Sequence, residues 1–420
     1  MGSISQTTMP RRKRSFRAGL FVASGGEVPM KLITVSREYG AGGAEVARRL
    51  AEDIGWTLLD RELMHQAAAI EHVPDAELES LDEQSVGVAD RFRLHPPHNR
   101  YIHGLKEVVD RAVAQGNVIL VGRGTNQLVG NREDAFHLRL VAPRPWRAQR
   151  MAELEGWTQE QALARCTEVD RTRERFNRYF FGEAATLPVH YDLVMNTGRV
   201  PLDDVVAGLA ALVRQQWPSG EADPSTERRV MTLSGELGAG DSSLAATLAQ
   251  RLKLAVFDRE LLAHEARRLG VSLAELERVD EQPAGIFQRF RPGSLHQRCF
   301  ETLGQLMREL AAQGDALLVG RGGCRFLEDD ARAFHVRLVA DAKVRLRRVM
   351  EHRWLAEDAA RALMEQTDVQ RGQFYQGFFG VDWTNPLGYH VTVNTGRLRP
   401  QGVNLIALMA EQHWARAGQT

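Results

Sequence analysis

Apolar residues at 32, 33 and 35 form a short run that suits a strand, and a polar, glycine-dense stretch, 36–43, follows them. Val46, Ala47, Leu50, Ala51 and Ile54 then recur at three- and four-residue spacing, which places them on one face of a helix. A short strand at 57–59 leads into Asp60 and another helix, and a polar, helix-rich stretch runs to residue 115. The continuous apolar run at 117–121 predicts a buried strand, and 135–141 another. Helical spacing covers 146–155 and 159–179, 193–195 is the last strand, and Pro201 opens a closing helix at its first turn. Strands alternating with helices predict a parallel sheet with helices on both faces. In such a sheet ligands bind at the carboxyl ends of the strands.

The whole series then occurs a second time. Ser36 aligns with Ser234, an offset of 198 residues. The same offset carries Asp60-Arg61-Glu62 onto Asp258-Arg259-Glu260, and Gly122-Arg123-Gly124 onto Gly320-Arg321-Gly322. It also carries Asn196-Thr197-Gly198-Arg199 onto Asn394-Thr395-Gly396-Arg397. An unbroken offset means two copies of one domain, and a period this long implies a separate core for each. Proline, glycine, serine and acidic residues mark 217–227 as a solvated linker. The expected organisation is a disordered extension at 1–30, a first domain at 31–216, the linker, and a second domain at 228–415. The extension mixes a basic cluster with a short, interrupted apolar patch, too weak for a secretory signal.

Composition narrows the class of partner. The 420 residues carry 54 Lys+Arg against 54 Asp+Glu, so global charge argues for neither nucleic acid nor a membrane surface. Three isolated cysteines make no metal-ligand spacing and suit a reducing cytoplasm. No apolar run reaches the length of a membrane span.

The chemistry sits at the predicted strand ends. Strand, glycine turn and helix together hold a phosphate, because bare N–H groups and the helix N-terminus point at the anion. Ser36, Gly40, Gly42 and Gly43 form this turn in the first copy; Gly235, Gly240 and Ser242 form it in the second. Asp60, the Arg123 of the Gly-Arg-Gly turn, and Asn196 each follow a strand.

With the motifs placed, the chain resembles the cytidylate kinase-like branch of the P-loop nucleoside monophosphate kinases. The marks are SRE-x-G-x-GG at 36–43, DRE at 60, GRG at 122, and D-x-x-R at Asp170 and Arg173. The resemblance covers both copies nearly end to end. It implies two tandem α/β domains, each a five-stranded parallel sheet flanked by helices, with an insertion that binds the monophosphate and an arginine-bearing helical lid. The implied activity is transfer of the γ-phosphoryl group of ATP, with Mg²⁺, to a monophosphate such as CMP or dCMP. The implied roles are donor-phosphate contacts from the glycine turns and Asn196, charge neutralisation by Arg37, Arg123 and Arg173 with Asp170 beside them, and acceptor contacts from Asp60 and Arg61. No resident protein-held metal site is expected.

Departures from the G-x-x-x-x-G-K-[ST] loop are as informative. In the first copy Arg37 stands at the first glycine, Gly43 at the lysine and Ala44 at the hydroxyl. In the second, Gly235, Gly240 and Ser242 fit, but Asp241 replaces the lysine. The lids diverge the other way: residues 170–178 hold four arginines, whereas 368–376 keep only Arg371 with Asp368. The first copy is therefore the expected catalytic one and the second a degenerate one. The competing reading is a nucleotide-binding regulatory module without turnover; a third is a kinase of another small acceptor. Several residues have plainer accounts: Asp60 as a helix cap, His137 and His335 as satisfied core histidines, and Phe180-Phe181-Gly182 as packing at the end of the lid.

Overall fold

The structure is a computed structural model that describes residues 29–60, 97–122, 124–216, 228–240, 242–258, 267–268, 270, 295–320, 322–398 and 400–418. The expected extension up to residue 28, the linker 217–227 and the helix after Asp60 lie outside the described residues.

In the first copy the elements are β1 (Leu32–Arg37), α1 (Gly43–Ile54), β2 (Thr57–Leu59), α2 (Pro97–Gln115), β3 (Val118–Val121), α3 (Thr125–Val129), β4 (Ala135–Val141), α4 (Arg144–Glu155), α5 (Gln159–Phe181), β5 (Leu193–Asn196) and α6 (Leu202–Arg214). The second copy repeats them as β6 (Val230–Gly235), α7 (Ser242–Leu252), β7 (Ala255–Phe257), α8 (Leu295–Gln313), β8 (Ala316–Val319), α9 (Gly323–Phe326), β9 (Ala333–Val339), α10 (Ala342–Arg353), α11 (Glu357–Phe379), β10 (Val391–Asn394) and α12 (Pro400–Ala417). Pro201 caps α6 from outside rather than opening its first turn. The long lid helix α5 starts at a capping box, in which Thr158 and Gln161 satisfy each other's backbone N–H groups.

Among the described residues each copy contributes five parallel strands, and the two sets form one sheet of ten in the order β2-β3-β1-β4-β5-β10-β9-β6-β8-β7. Only the middle junction is antiparallel, with Leu193, Val194 and Met195 opposite Val393, Thr392 and Val391. Around it the copies exchange matching bonds: Asn196 N–H donates to His390 O at 3.0 Å and Asn394 N–H to Asp192 O at 3.1 Å. Ion pairs Arg199–Glu328 at 3.2 Å and Arg416–Asp204 cross the same seam.

The cores are shared on one face of the sheet and separate on the other. One face of the sheet carries a continuous core: α1 and α6 supply Val46, Leu50, Val205 and Leu209, and α7 and α12 supply Leu248, Leu405, Ile406 and Met409. At α6, a Cβ on Gly208 would lie 2.9 Å from Leu405 Cδ1, so the two helices nearly touch. The other face keeps one cluster per copy, around Leu105, Val108, Leu120 and Phe176 in the first and Leu303, Met307, Leu318 and Phe326 in the second. An alternating apolar pattern fixes which strand faces are buried; it cannot say that the fifth strand of one copy finds its partner in the other.

Candidate functional site

The carboxyl ends of β1 and β3, Arg139 of β4, the start of α4 and the lid helix α5 surround a cleft in the first copy. Ser36, Arg37, Glu38, Arg139, Arg144, Arg147, Asp170, Arg173 and Asn177 line it. Gly42 ends the turn that runs from the cleft-lining residues Ser36, Arg37 and Glu38 into α1. Its φ of 84° is left-handed, and it starts α1 with no side-chain cap on the first-turn N–H groups. That leaves a bare helix N-terminus at the end of the turn, as an anion site requires.

The glycine turn is braced from behind. Tyr39 N–H donates to Asp170 Oδ1 at 2.8 Å, and Arg147 Nη1 reaches both Tyr39 O at 2.8 Å and Asp170 Oδ2 at 2.5 Å. Glu38 accepts from Ala142 N–H at 3.1 Å and lies 3.4 Å from Arg147 Nε. The Arg147 side chain is only 4% exposed, so this cluster is a buried clamp. Arg173 Nη1 donates to Arg37 O at 3.2 Å, and its guanidinium lies 5.7 Å from the centre of the Tyr39 ring. Burial by these neighbours pushes the Tyr39 phenol up and keeps it neutral. Arg37 Nη2 in turn meets Asp60 Oδ1 at 3.1 Å, so the donor turn and the end of β2 are linked.

The structure brings together Ser36, Arg37, Gly40, Gly42, Gly43, Asp60, Asp170 and Arg173. Asp170, expected among the catalytic groups, has both carboxylate oxygens bonded within the clamp, to Tyr39 N–H and Arg147. Asn196, expected to touch nucleotide, is 1% exposed and belongs to the seam. Its amide donates to Leu387 O at 3.0 Å and its Oδ1 accepts from Gly198 N–H at 3.1 Å. Asn394 mirrors it, bonding Val189 O at 2.6 Å and Gly396 N–H at 3.0 Å. Arg61, Arg123 and Asp241 lie outside the described residues, as does the side chain of Ser242. Arg139, Arg144 and Arg147 were missed. The signal was present for two of them, since Arg139 and Arg147 recur as Arg337 and Arg345 at the 198-residue offset.

The second copy has the same clamp but a filled cleft. Asp368 accepts from Leu237 N–H at 3.2 Å and pairs with Arg345, and Arg371 bonds Gly235 O. Tyr375 takes the place of Asn177, and Trp383 that of Ala185. The Tyr375 hydroxyl lies 3.5 Å from Ser234 Oγ and 3.6 Å from Cys324 Sγ, and its ring stacks at 6.0 Å on Trp383. Arg337, 2% exposed, lies 5.4 Å from the Trp383 ring centre and pairs with Glu236 at 3.0 Å. Burial pushes the Glu236 carboxyl, the Cys324 thiol and the Tyr375 phenol all upward, the marks of a site closed to water. Gly235 and Gly240 keep their turn positions, but Leu338 and the aromatic side chains fill the adjoining space.

In the first copy the polar atom at this position has no partner among the described residues: Asn177 Oδ1 is buried and accepts no hydrogen bond from them. A buried acceptor in that state costs roughly 1–3 kcal/mol. The cost is removed when a bound molecule donates an N–H or O–H.

The sequence profile of the cytidylate kinase-like family matches residues 32–199 and again 230–397. The cytidylate kinases of Pyrococcus horikoshii and Pyrococcus furiosus are 27% and 28% identical over 200 residues, covering 47% of this chain and 96% of their own. Among solved structures, an uncharacterized protein from Eubacterium ventriosum aligns over 44% of this chain and all of its own, with TM-score 0.34 and 17% identity.

Proposed function

The chain belongs to the cytidylate kinase-like family, and from that premise we propose that its first copy transfers the γ-phosphoryl group of ATP to a nucleoside monophosphate. Family membership makes the protein one of the nucleotide-kinase type. CMP or dCMP is the first acceptor to test, because the Pyrococcus relatives bear the name cytidylate kinase. The observation that carries the reading is the contrast between the clefts: the first is open and lined by arginines, and the second is closed by Tyr375 and Trp383.

Phosphoryl transfer needs little covalent help from a protein. It needs two substrates held in line and charge on the phosphate oxygens neutralised. Arg139, Arg144 and Arg173 face the cleft and offer planar, bidentate donors to those oxygens. The bare N-terminus of α1 receives the donor phosphates, while Asp170, Arg147 and Glu38 hold its turn rigid. Asp60, at the end of β2, faces the acceptor side. Asn177 Oδ1 receives a donor group of the bound substrate.

Mg²⁺ fits this site as a companion of the nucleotide. Among the described residues no three His, Cys, Asp or Glu side chains gather as a metal site. Mg²⁺ commonly needs only one or two carboxylates besides phosphate and water. Asp60, beside the cleft-lining Arg37 and outside the Arg147 clamp, would hold the ion, and the ion would supply charge neutralisation at the donor phosphates.

The missing lysine in both turns favours the second reading, a nucleotide-binding module without turnover. A coupled assay of ADP release from ATP–Mg²⁺, using the full chain and a panel of nucleoside monophosphates, separates the two. Acceptor-dependent ADP release supports the kinase. ATP binding with no release from any acceptor leaves the module.

A further inference from the structure

The first copy lacks the lysine that a phosphate-binding turn of this class carries just after its last glycine, and its place is taken by Gly43. The space beside Gly43 is occupied. A Cβ built there would lie 2.7 Å from Arg37 Cβ, 2.8 Å from its Cγ and 3.3 Å from its Cδ. These are the root atoms of the Arg37 side chain, held by the backbone of β1, so they cannot swing away as a flexible tip would. Any side chain at 43 therefore excludes the observed position of Arg37. From this stem the guanidinium runs across the ends of two neighbouring strands. Its Nη1 lies 3.6 Å from where a Cβ of Gly122 would stand, at the end of β3, and its Nη2 reaches Asp60 at the end of β2.

The second copy has the opposite arrangement in its sequence. Gly235 stands where Arg37 does, and Asp241 stands where Gly43 does. In each copy one of the two positions is glycine and the other carries the charged side chain.

We propose that Arg37 supplies the donor-phosphate charge normally supplied by the lysine, from the opposite wall of the turn, and that Gly43 is glycine because the Arg37 stem fills its side-chain space. The proposal rests on the kinase reading for its catalytic consequence, although ATP binding tests it independently. An arginine in this place does something a lysine does not. Its planar, permanently charged guanidinium pairs with Asp60 while the side chain lines the cleft, so the donor site and the acceptor side share one cation.

The test is an exchange of the two positions in the full-length chain. Arg37→Gly removes the cation, Gly43→Lys forces a side chain against the Arg37 stem, and the double variant Arg37→Gly/Gly43→Lys moves the cation to its usual place in such turns. Affinity for ATP–Mg²⁺ is measured by calorimetry, KM for ATP and for the acceptor by steady-state kinetics, and folding by thermal melts. Loss of one preorganised charged donor is expected to lower kcat/KM for ATP by on the order of 100-fold in Arg37→Gly. Gly43→Lys is expected to lose at least as much, and the double variant to recover to within about tenfold of wild type, a gain neither single change gives. If Arg37→Gly does not fold, Arg37→Gln, which keeps the stem and removes the charge, takes its place. The proposal is overturned if ATP affinity and kcat/KM for ATP stay within about threefold of wild type without the Arg37 charge. It is also overturned if only the acceptor KM rises, which would make Arg37 a holder of Asp60, or if the folded double variant is no better than Arg37→Gly. A wild type that binds ATP but phosphorylates no acceptor sinks the kinase reading alone and leaves Arg37 to be judged on ATP affinity. A wild type that does not bind ATP sinks both.

Discussion

Cutting the chain after Gln216 removes what lies against the β10 edge of β5 and the outer face of α6. The fragment 31–216 keeps five strands, the cleft and the whole glycine turn, and the sequence repeat alone says that it should fold. The bonds of the seam predict a heavy loss instead. The cut removes the backbone bonds at 3.0 and 3.1 Å on either side of the seam and the two asparagine side-chain bonds to Leu387 O and Val189 O. Four hydrogen bonds at about 1 kcal/mol each amount to about 4 kcal/mol. The cut also strips Leu387 from Val141, Tyr191 and Val194, and Leu405 from the Gly208 strip of α6. Three or four apolar side chains left in water cost roughly 2 kcal/mol each. The total is about 10 kcal/mol, as large as the entire stability of an ordinary domain, about 5–15 kcal/mol. The fragment is expected to be molten, or to pair through its bare β5 edge with another fragment. Size-exclusion chromatography with light scattering, near-ultraviolet circular dichroism and urea titration read this out. A monomeric fragment with a sharp urea transition, within about 2 kcal/mol of the full chain, would show that the seam contributes little and that each copy has an adequate core of its own.

Three further outcomes follow from the site. Asn177→Tyr should close the first cleft as Tyr375 closes the second and reduce ADP release more than tenfold, whereas Tyr375→Asn should lower the melting temperature and leave ADP release unchanged; equal effects on activity would contradict a silent second cleft. Arg173→Ala, which loses a charged donor worth about 1.5–3 kcal/mol, should reduce turnover by about 10- to 100-fold while Arg371→Ala costs only stability; equal losses of turnover refute the assignment to the first copy. The stability of the full chain should fall with acidification. Burial first, then the Arg199 charge from the first copy, pushes His335 from 6.5 down to about 3, and burial also lowers His390 and His413. The unfolded chain takes up protons below pH 6.5 that the folded chain rejects, so stability is complete above that value and lost through the window down to about 3, by up to about 1.4 kcal/mol per pH unit per histidine. Urea midpoints at several pH values check this. His390 accepts from His335 N–H at 3.0 Å, which asparagine can also do, so His390→Asn should flatten the profile; a midpoint constant down to pH 5 refutes it.

Much of this was legible in the sequence. The 198-residue offset gave the two copies, and helical and strand spacing placed β1, α1, β3 and β4 within a few residues. His137 is a satisfied core histidine, bonded to Thr34 Oγ1 at 2.8 Å and close to Gly130 O at 3.0 Å. Phe181 does pack at the lid's end, resting where a Cβ of Gly124 would stand, which is why the Phe-Phe-Gly and Gly-Arg-Gly motifs recur together. Asn196 shows the limit. Recurrence marks a constrained position, and a constraint from a symmetric seam looks the same in sequence as one from a ligand. Arg147 shows another. Apart from its recurrence as Arg345, nothing in the pattern of α4 distinguishes this buried, doubly paired arginine from its solvated neighbours, because its partners lie 23 and about 110 residues away.

The antiparallel join of β5 to β10 fixes more than shape. Two separate chains meeting along such an edge would come apart on dilution; two tethered ones face each other at millimolar effective concentration whatever the abundance of the protein. Once the partner is covalently supplied, its duty reduces to presenting β10, Leu387 and α12. Its cleft is then free to accumulate bulky side chains that no ligand site would tolerate, as long as the edge stays intact. Drift in a fused duplicate is therefore expected to be lopsided, erasing chemistry at Tyr375 and Trp383 while the matched asparagines at 196 and 394 stay in register.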